Sequence, residues 1–191
     1  MKLITITAFL ALAATSHPAE KVAATATSGR FKITQEFHED PGEQGEFLET
    51  VRFADTLLSP VRLSGMSWPG HYDISPDENW LLRTQKTGAG ASMAMLYRIE
   101  ANGRVSEVMG FDDLLWKVFD TTSPHKKKDL YHNHVSKAAW TDDSTTVKFV
   151  LKGTEASAPG DDIVCHLTYD LNTNRALPKP ASSKPDTKSP P

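Results

Sequence analysis

Apolar and polar residues alternate along much of the chain between residues 31 and 177. Residues 31–38 and 47–53 show the two-residue period of strands that bury one face. Further β-type segments follow at 60–63, 80–86, 93–99, 105–109, 135–140, 147–152 and 163–171. Short polar turns separate these segments, so the pattern predicts a meander of about ten antiparallel strands.

One segment departs from this period. Residues 112–119 begin with Asp112 and Asp113 and then place apolar residues at helical spacing. Acidic side chains favour the first turn of a helix, because they interact with the partial positive charge of its N-terminus. The sequence therefore predicts a helical turn or two among the strands.

Two stretches, 75–104 and 141–175, share one pattern. In each, a polar turn that contains Asp leads into a strand, and a later strand that carries Tyr ends in an Asn-centred turn. Asp in such a turn can accept hydrogen bonds from its own backbone. The positions that define the two copies are Asp77, Trp80, Tyr97 and Asn102, and Asp143, Phe149, Tyr169 and Asn172.

This arrangement resembles the blades of TolB-type and WD40-type β-propellers. The matching residues are Ser75, Pro76, Asp77, Trp80, Leu96 and Tyr97, with Asp143, Phe149, Tyr169 and Asp170 in the second copy. The resemblance implies antiparallel blades whose large apolar residues, among them Trp80 and Trp140, fill the contacts between neighbouring sheets. Propellers have at least about four blades of about 40 residues, so the chain is expected to supply two full blades and a partial one from 31–63.

The expected fold class is therefore all-β, as an antiparallel meander of propeller-blade-like units with one short helix. Such units form either a partial or open propeller or a twisted two-sheet sandwich. Residues 31–177 are expected to form this single β domain, because about 150 residues suffice for one substantial core. Residues 20–30, rich in Ala and Thr, are expected to be a flexible lead-in.

The two ends of the chain differ in composition from this domain. Residues 1–19 combine a basic start, an apolar run at 3–14 and small residues that fit cleavage after Ser16 or after Ala19. That run is too short to span a bilayer but fits a secretory signal peptide, which predicts a secreted or periplasmic protein. Residues 178–191 form a Pro/Ser/Lys tail that is expected to be disordered.

The net charge of the predicted domain restricts the kinds of molecule that it can bind. The chain has 21 basic and 24 acidic residues. Removing Lys2 and the tail's three Lys and one Asp leaves 17 against 23, a domain charge near −6. Such a domain repels phosphate backbones, so nucleic acid is not an expected partner. No apolar stretch of the sequence has the length of a membrane span. The single Cys165 is expected to be a small buried residue on a strand.

A His-rich segment is the first candidate site. If 131–135 is a strand, His132 and His134 lie on one face, and such a pair could bind a divalent metal. A zinc site needs a third ligand, for which His125 is one candidate. The alternative is a pair of partly exposed His residues at the start of a strand, with no cofactor bound.

A Gly-rich loop is the second candidate. Lys86, Gly88 and Gly90 could form a ligand-binding loop whose backbone N–H groups converge on an anion. The loop has neither the Gly-Lys-Ser/Thr of a phosphate-binding loop nor the three glycines of a dinucleotide fingerprint. The alternative is a plain connection between two strands.

The sequence contains no catalytic motif, so the expected function is an exported, non-enzymatic binding module. Its loops at one end of the sheets would contact a protein or a cell-envelope component. One alternative is a metal-dependent hydrolase that uses the region of His125, His132 and His134. Another is a structural subunit completed by homo-oligomerisation, because an open sheet edge can pair with a second copy.

Overall fold

The computed structural model describes residues 20–39, 45–155, 160 and 162–179. The predicted signal peptide at 1–19 lies outside these residues, as does the tail from 180 onward. Pro178, placed in the tail from the sequence, instead ends the last strand. Within the described ranges, no helix combines the length and the apolar character that crossing a membrane requires.

The strands of the described residues form three antiparallel sheets of four strands each, in chain order. The first sheet contains β1 (Lys21–Thr25), β2 (Phe31–His38), β3 (Glu46–Phe53) and β4 (Val61–Arg62). The second contains β5 (His71–Ile74), β6 (Trp80–Gly88), β7 (Ala91–Ile99) and β8 (Val105–Glu107). The third contains β9 (Leu130–Trp140), β10 (Thr146–Glu155), β11 (Ile163–Asp170) and β12 (Arg175–Pro178).

An α-helix, α1 (Phe111–Thr122), and a 3₁₀ turn (Lys127–Asp129) connect the second and third sheets. The prediction of an all-β, mainly antiparallel fold with one short helix is thus confirmed for the described residues. The helix is longer than the turn or two expected, since it continues through Thr122 and ends where the Ser123 N–H donates to the Phe119 carbonyl.

The flexible lead-in predicted at 20–30 is wrong. Lys21–Thr25 pairs antiparallel with β2, so the first sheet has a full set of four strands rather than the partial set expected from 31–63. The sequence pattern does not indicate this strand, because three of its five residues are Ala or Thr, whose small side chains give little apolar alternation. Backbone pairing with β2, rather than propensity, holds it in place.

The second sheet is buried on both faces. Leu81 and Tyr97 lie opposite each other on β6 and β7 and pack against the first sheet. Their neighbours Leu82 and Leu96 also form a pair and pack towards the third sheet. Because successive residues of a strand point to opposite faces, the nearly continuous apolar run of these strands fills two cores at once.

Helix α1 fills the space between the second and third sheets. Its buried residues are Phe111, Leu115, Trp116 and Phe119. The Phe111 ring lies edge-on to Tyr169, with 4.8 Å between ring centroids, and 5.8 Å from Phe149 on the third sheet. Cys165 is half-buried beside this cluster, and burial raises the pKa of its thiol.

A buried polar network joins the first and second sheets. Glu49 on β3 and Arg83 on β6 form an ion pair in which both side chains are 0% exposed. The carboxylate also accepts hydrogen bonds from Gln35 Nε2 at 2.6 Å, from the Gly70 N–H at 2.7 Å and from the Tyr72 hydroxyl. The network therefore fixes the connection that leads from the first sheet into the second.

Replacing Glu49 by Ala is expected to lower the free energy of unfolding by about 3–5 kcal/mol, because it leaves the Arg83 charge buried without its partner. Chemical denaturation monitored by fluorescence measures the loss. The matched control is Glu36→Ala, on the opposite face of the same sheet, for which a change of about 0.5 kcal/mol or less is expected. Equal losses for both variants would show that the pair has no special role.

Burial raises the pKa of Tyr72 far above its ordinary value; the nearby Arg83 charge opposes this shift, and the hydrogen bond to Glu49 adds to it. The folded state therefore keeps a proton that the unfolded chain releases above about pH 10. Tyr72 thus contributes stability that is fully present below that pH and is lost as the pH rises.

Tyr72→Phe is expected to make the decline of unfolding free energy above about pH 10 shallower, by up to about 1.4 kcal/mol per pH unit. Denaturation series between neutral and alkaline pH measure this slope in both proteins. An unchanged slope would mean that the phenol does not stay protonated in the folded state.

Candidate functional site

The first hairpin turn of each sheet has the same backbone geometry. The turns cover 26–31, 75–80 and 141–146. In each, the first N–H donates to the sixth carbonyl, at 2.9 Å from Ala26 and at 3.0 Å from Ser75 and Thr141. The fourth residue of each turn has a positive φ: 77° at Gly29, 58° at Glu78 and 56° at Ser144.

These three turns also contact one another. The Ser28 N–H donates to Glu78 Oε1 at 2.6 Å, and Arg30 donates to the Glu78 carbonyl. On the other side, the Asp77 N–H donates to Ser144 Oγ at 2.9 Å. The three turns therefore form a row across one end of the sheets. This end, together with the hairpins at 54–60, 100–104 and 171–174, is called the turn end.

A cleft of about 570 Å³ opens at the turn end between the second and third sheets. Its lining is mostly polar, and the side chains that can bind a ligand there are Asp77, Asn79, Arg98, Glu100, Asp143 and Asn172. Asp77 and Asp143 occupy the same position of two equivalent turns. The repeated turn thus supplies both walls of the cleft.

The two Asp carboxylates are held in their ionised form. Burial acts to raise the pKa of Asp77, but hydrogen bonds from the Ser75 hydroxyl and from Asn79 outweigh it, and the pKa is lowered. Hydrogen bonds from Thr141 and Thr145 lower the pKa of Asp143. Carboxylates of this kind accept hydrogen bonds well, but they are weak bases at neutral pH.

Trp80 and Arg98 form one wall of the cleft. The guanidinium carbon of Arg98 lies 5.7 Å from the centroid of the Trp80 ring, a cation–π contact. Trp80 is only half-buried, because it packs against the core with one part and lines the cleft with another. Trp140 is also half-buried and packs against the same core cluster, so both residues contribute to the core as the sequence predicts, although neither is fully enclosed.

The two candidate sites predicted from the sequence, the Gly-rich loop and the His-rich segment, lie at the opposite end of the sheets. Gly88 and Gly90 form the turn between β6 and β7, and Lys86 Nζ lies 5.4 Å from the centroid of the Trp68 ring. Gly90 has a φ of 76°, and a Cβ at this position would lie 2.5 Å from Cδ2 of His132. The structure thus brings the Gly-rich loop and the His-rich segment, which are distant in sequence, into contact.

The His pair does not follow the alternation assumed for it. Strand β9 contains a bulge between Tyr131 and His134, where His132 takes a φ of 54°. His134 Nδ1 lies 2.8 Å from the carbonyl oxygen of His132, and His125 Nδ1 lies 3.8 Å from Glu155 Oε2. Among the described residues, no three His, Cys, Asp or Glu side chains gather as a metal site requires. Metal binding here stays a prediction.

No protein-family model matches the chain. No curated protein matches it either. One solved structure to which it is similar is the apo form of the AtxE2 isopeptidase, with 12% sequence identity and a TM-score of 0.47. The alignment covers 88% of this chain but only 30% of the isopeptidase chain.

Gly90→Ala is expected to cost about 1–3 kcal/mol of stability, because the new methyl group meets the His132 ring and the residue keeps a positive φ. Gly88→Ala is the matched control: a Cβ there has no atom within 4 Å, so a change of about 0.5 kcal/mol or less is expected. Thermal unfolding compares the two.

The double variant Gly90→Ala/His132→Ala separates the two causes of the stability loss, the collision with the His132 ring and the positive φ. It should recover the part of the loss that comes from the collision with the ring, leaving the backbone cost. Equal stability of Gly90→Ala and Gly88→Ala would contradict the contact between the loop and β9.

Proposed function

We propose that the protein is an exported, non-enzymatic binding module that holds a protein or a cell-envelope component in the cleft at the turn end. The observation that carries this proposal is the cleft itself, whose polar walls come from equivalent turns of two neighbouring sheets. Loops on a rigid β scaffold are a common location for binding surfaces.

The chemistry of the cleft favours recognition over catalysis. Of the described residues that line it, none is a His or a Cys. General acid–base catalysis works best with groups whose pKa lies near the operating pH, whereas hydrogen bonds lower the pKa of both Asp77 and Asp143. The lining carboxylates of Asp77, Glu100 and Asp143 outnumber the single cation of Arg98. A ligand with amino, guanidinium or other donor groups fits this lining.

Preorganisation also supports binding at this site. Asp77 is held by its own turn and by the contact of its N–H with Ser144. The neighbouring Glu78 is tied to Ser28 and Arg30 of the first sheet. Walls that are already ordered lose little conformational freedom when a ligand binds, and this improves affinity.

Export rests on the sequence of residues 1–19, which has the charge, length and small residues of a secretory signal. The described part of the chain is consistent with a protein stabilised without disulfides. Its stability comes from two apolar cores and a buried ion pair, and Cys165 is a free thiol.

Site-specific photo-crosslinking tests the proposed function. A photoreactive amino acid at Asn172, exposed in the cleft wall, should give a discrete adduct when the purified protein is irradiated in an envelope extract. The matched control carries the same group at Met109, which is 81% exposed and follows β8 towards the opposite end.

The proposal requires that the Asn172 adduct form and that the Met109 protein give none of the same mass. Unlabelled protein added in excess should suppress the adduct. Identical adducts from both positions, or none from Asn172, would show that the cleft is not the binding site.

A further inference from the structure

The outer face of the third sheet is chemically unlike its inner face. Along β10, Val147, Phe149 and Leu151 point inward and are at most 1% exposed. The alternate residues Lys148, Val150 and Lys152 therefore point outward. This outer face is the far side of the stack from the second sheet.

Lysine side chains and His166 surround Val150 on this face. Lys137 on β9 and His166 on β11 are the direct partners of Val150 across the sheet. Lys179 continues the row beyond His166, since its N–H donates to the His166 carbonyl at 2.9 Å. Lys148 and Lys152 lie about 7 Å to either side along the strand. Of these, Lys152 is already paired with Asp162 at 3.0 Å.

A groove of about 350 Å³ lies in the middle of this cluster. Lys137, Lys148, His166 and Lys179 surround it, while Val150 and Ala139 contribute to a largely apolar floor. The aliphatic part of a Lys side chain can cover apolar surface while its ammonium group stays in water. The groove therefore offers an apolar centre with positive charge around it.

These charges oppose the addition of another sheet on this side. Stacking an apolar sheet face here would take several ammonium groups out of water without partners, which is strongly unfavourable. The outer first-sheet face of a second copy carries Lys32 and Arg62 but also Glu36 and Glu46, so its charge is mixed rather than acidic. In a chain of formal net charge −3, such a concentration of cations suits an acidic partner.

We propose that this face binds an extended acidic segment of a partner polypeptide. One apolar side chain of the segment enters the groove over Val150, and carboxylates on either side of it pair with Lys137, Lys148 and Lys179. Same-side residues of an extended chain repeat at about 6.6–6.8 Å, the spacing between Lys148 and Val150 along their strand. An acidic residue two positions from the apolar one thus matches the spacing of Lys148 from Val150, while Lys137 and Lys179 lie across the sheet from Val150 and pair with the segment's other carboxylate.

The groove favours a polypeptide over a phosphate polymer. Its apolar floor has no counterpart in a phosphate chain, which carries charge without apolar side chains. Single-stranded nucleic acid is usually held by aromatic platforms on which bases stack. Phe149, the aromatic residue in the groove lining, is 1% exposed and points to the inner face, so it provides no such platform.

Fluorescence anisotropy at low salt tests the proposal with a labelled peptide that has a central leucine and glutamates two residues to each side. Saturable binding is expected, with at least about tenfold weaker affinity for Lys137→Glu/Lys148→Glu. The control Lys32→Glu/Lys117→Glu carries the same charge change on exposed positions elsewhere and should stay within about twofold of the wild type. A peptide with serine in place of leucine should bind more weakly.

Methyl NMR of the unmutated protein gives a second measurement that does not depend on how the variants fold. The Val150 methyl signals should shift during titration, and those of Val51, buried in the first sheet, should not. No saturable binding, equal weakening by both double variants, or unmoved Val150 signals would overturn the proposal. Tighter binding of inorganic polyphosphate or of an oligonucleotide would overturn it too. None of these outcomes bears on the turn-end cleft.

Discussion

Burial of the second sheet on both faces is the constraint on which the structure depends. A strand has only two faces, and in β6 and β7 both are apolar: Leu81 and Tyr97 on one, Leu82 and Leu96 on the other. Neither set can be covered by the sheet itself, so the first sheet must cover one and the third sheet, with α1, the other. The order of the stack follows directly from this.

The stack also places the candidate site. The first hairpin of each sheet has the same turn, so stacking the sheets brings the three turns into a row, and a cleft opens between the second and third of them. The buried pair of Glu49 and Arg83 fixes the connection between the first two sheets, while the bond from Asp77 to Ser144 joins the second to the third. The outer faces are left for solvent or partners, and the third carries the basic groove around Val150.

Much of the fold could be predicted from the sequence, because local patterns determine it: the alternation at 31–38, the Ala101-Asn102-Gly103 turn and the acidic start of α1. Strand β1 could not be predicted, because its Ala and Thr residues give little apolar alternation. The sites were harder to predict. The two-residue period places Glu49 on the apolar face with Val51, but nothing in the strand indicates that its partner is Arg83 of another sheet. The meeting of Asp77 with Ser144, or of Gly90 with His132, likewise depends on how separate sheets stack. The bulge at His132 could not be predicted, because the alternation of apolar and polar residues does not show where a strand contains an extra residue.

Native-state hydrogen exchange measured residue by residue tests the central claim most directly. Strands covered on both faces can exchange only when the whole stack opens, whereas the outer sheets have one solvated face and can open locally. The slowest amides are therefore expected in β6 and β7, ahead of the inner strands β2, β3, β10 and β11. If the slowest amides lay in either outer sheet while β6 and β7 opened earlier, the second sheet would not be the shared wall of two cores.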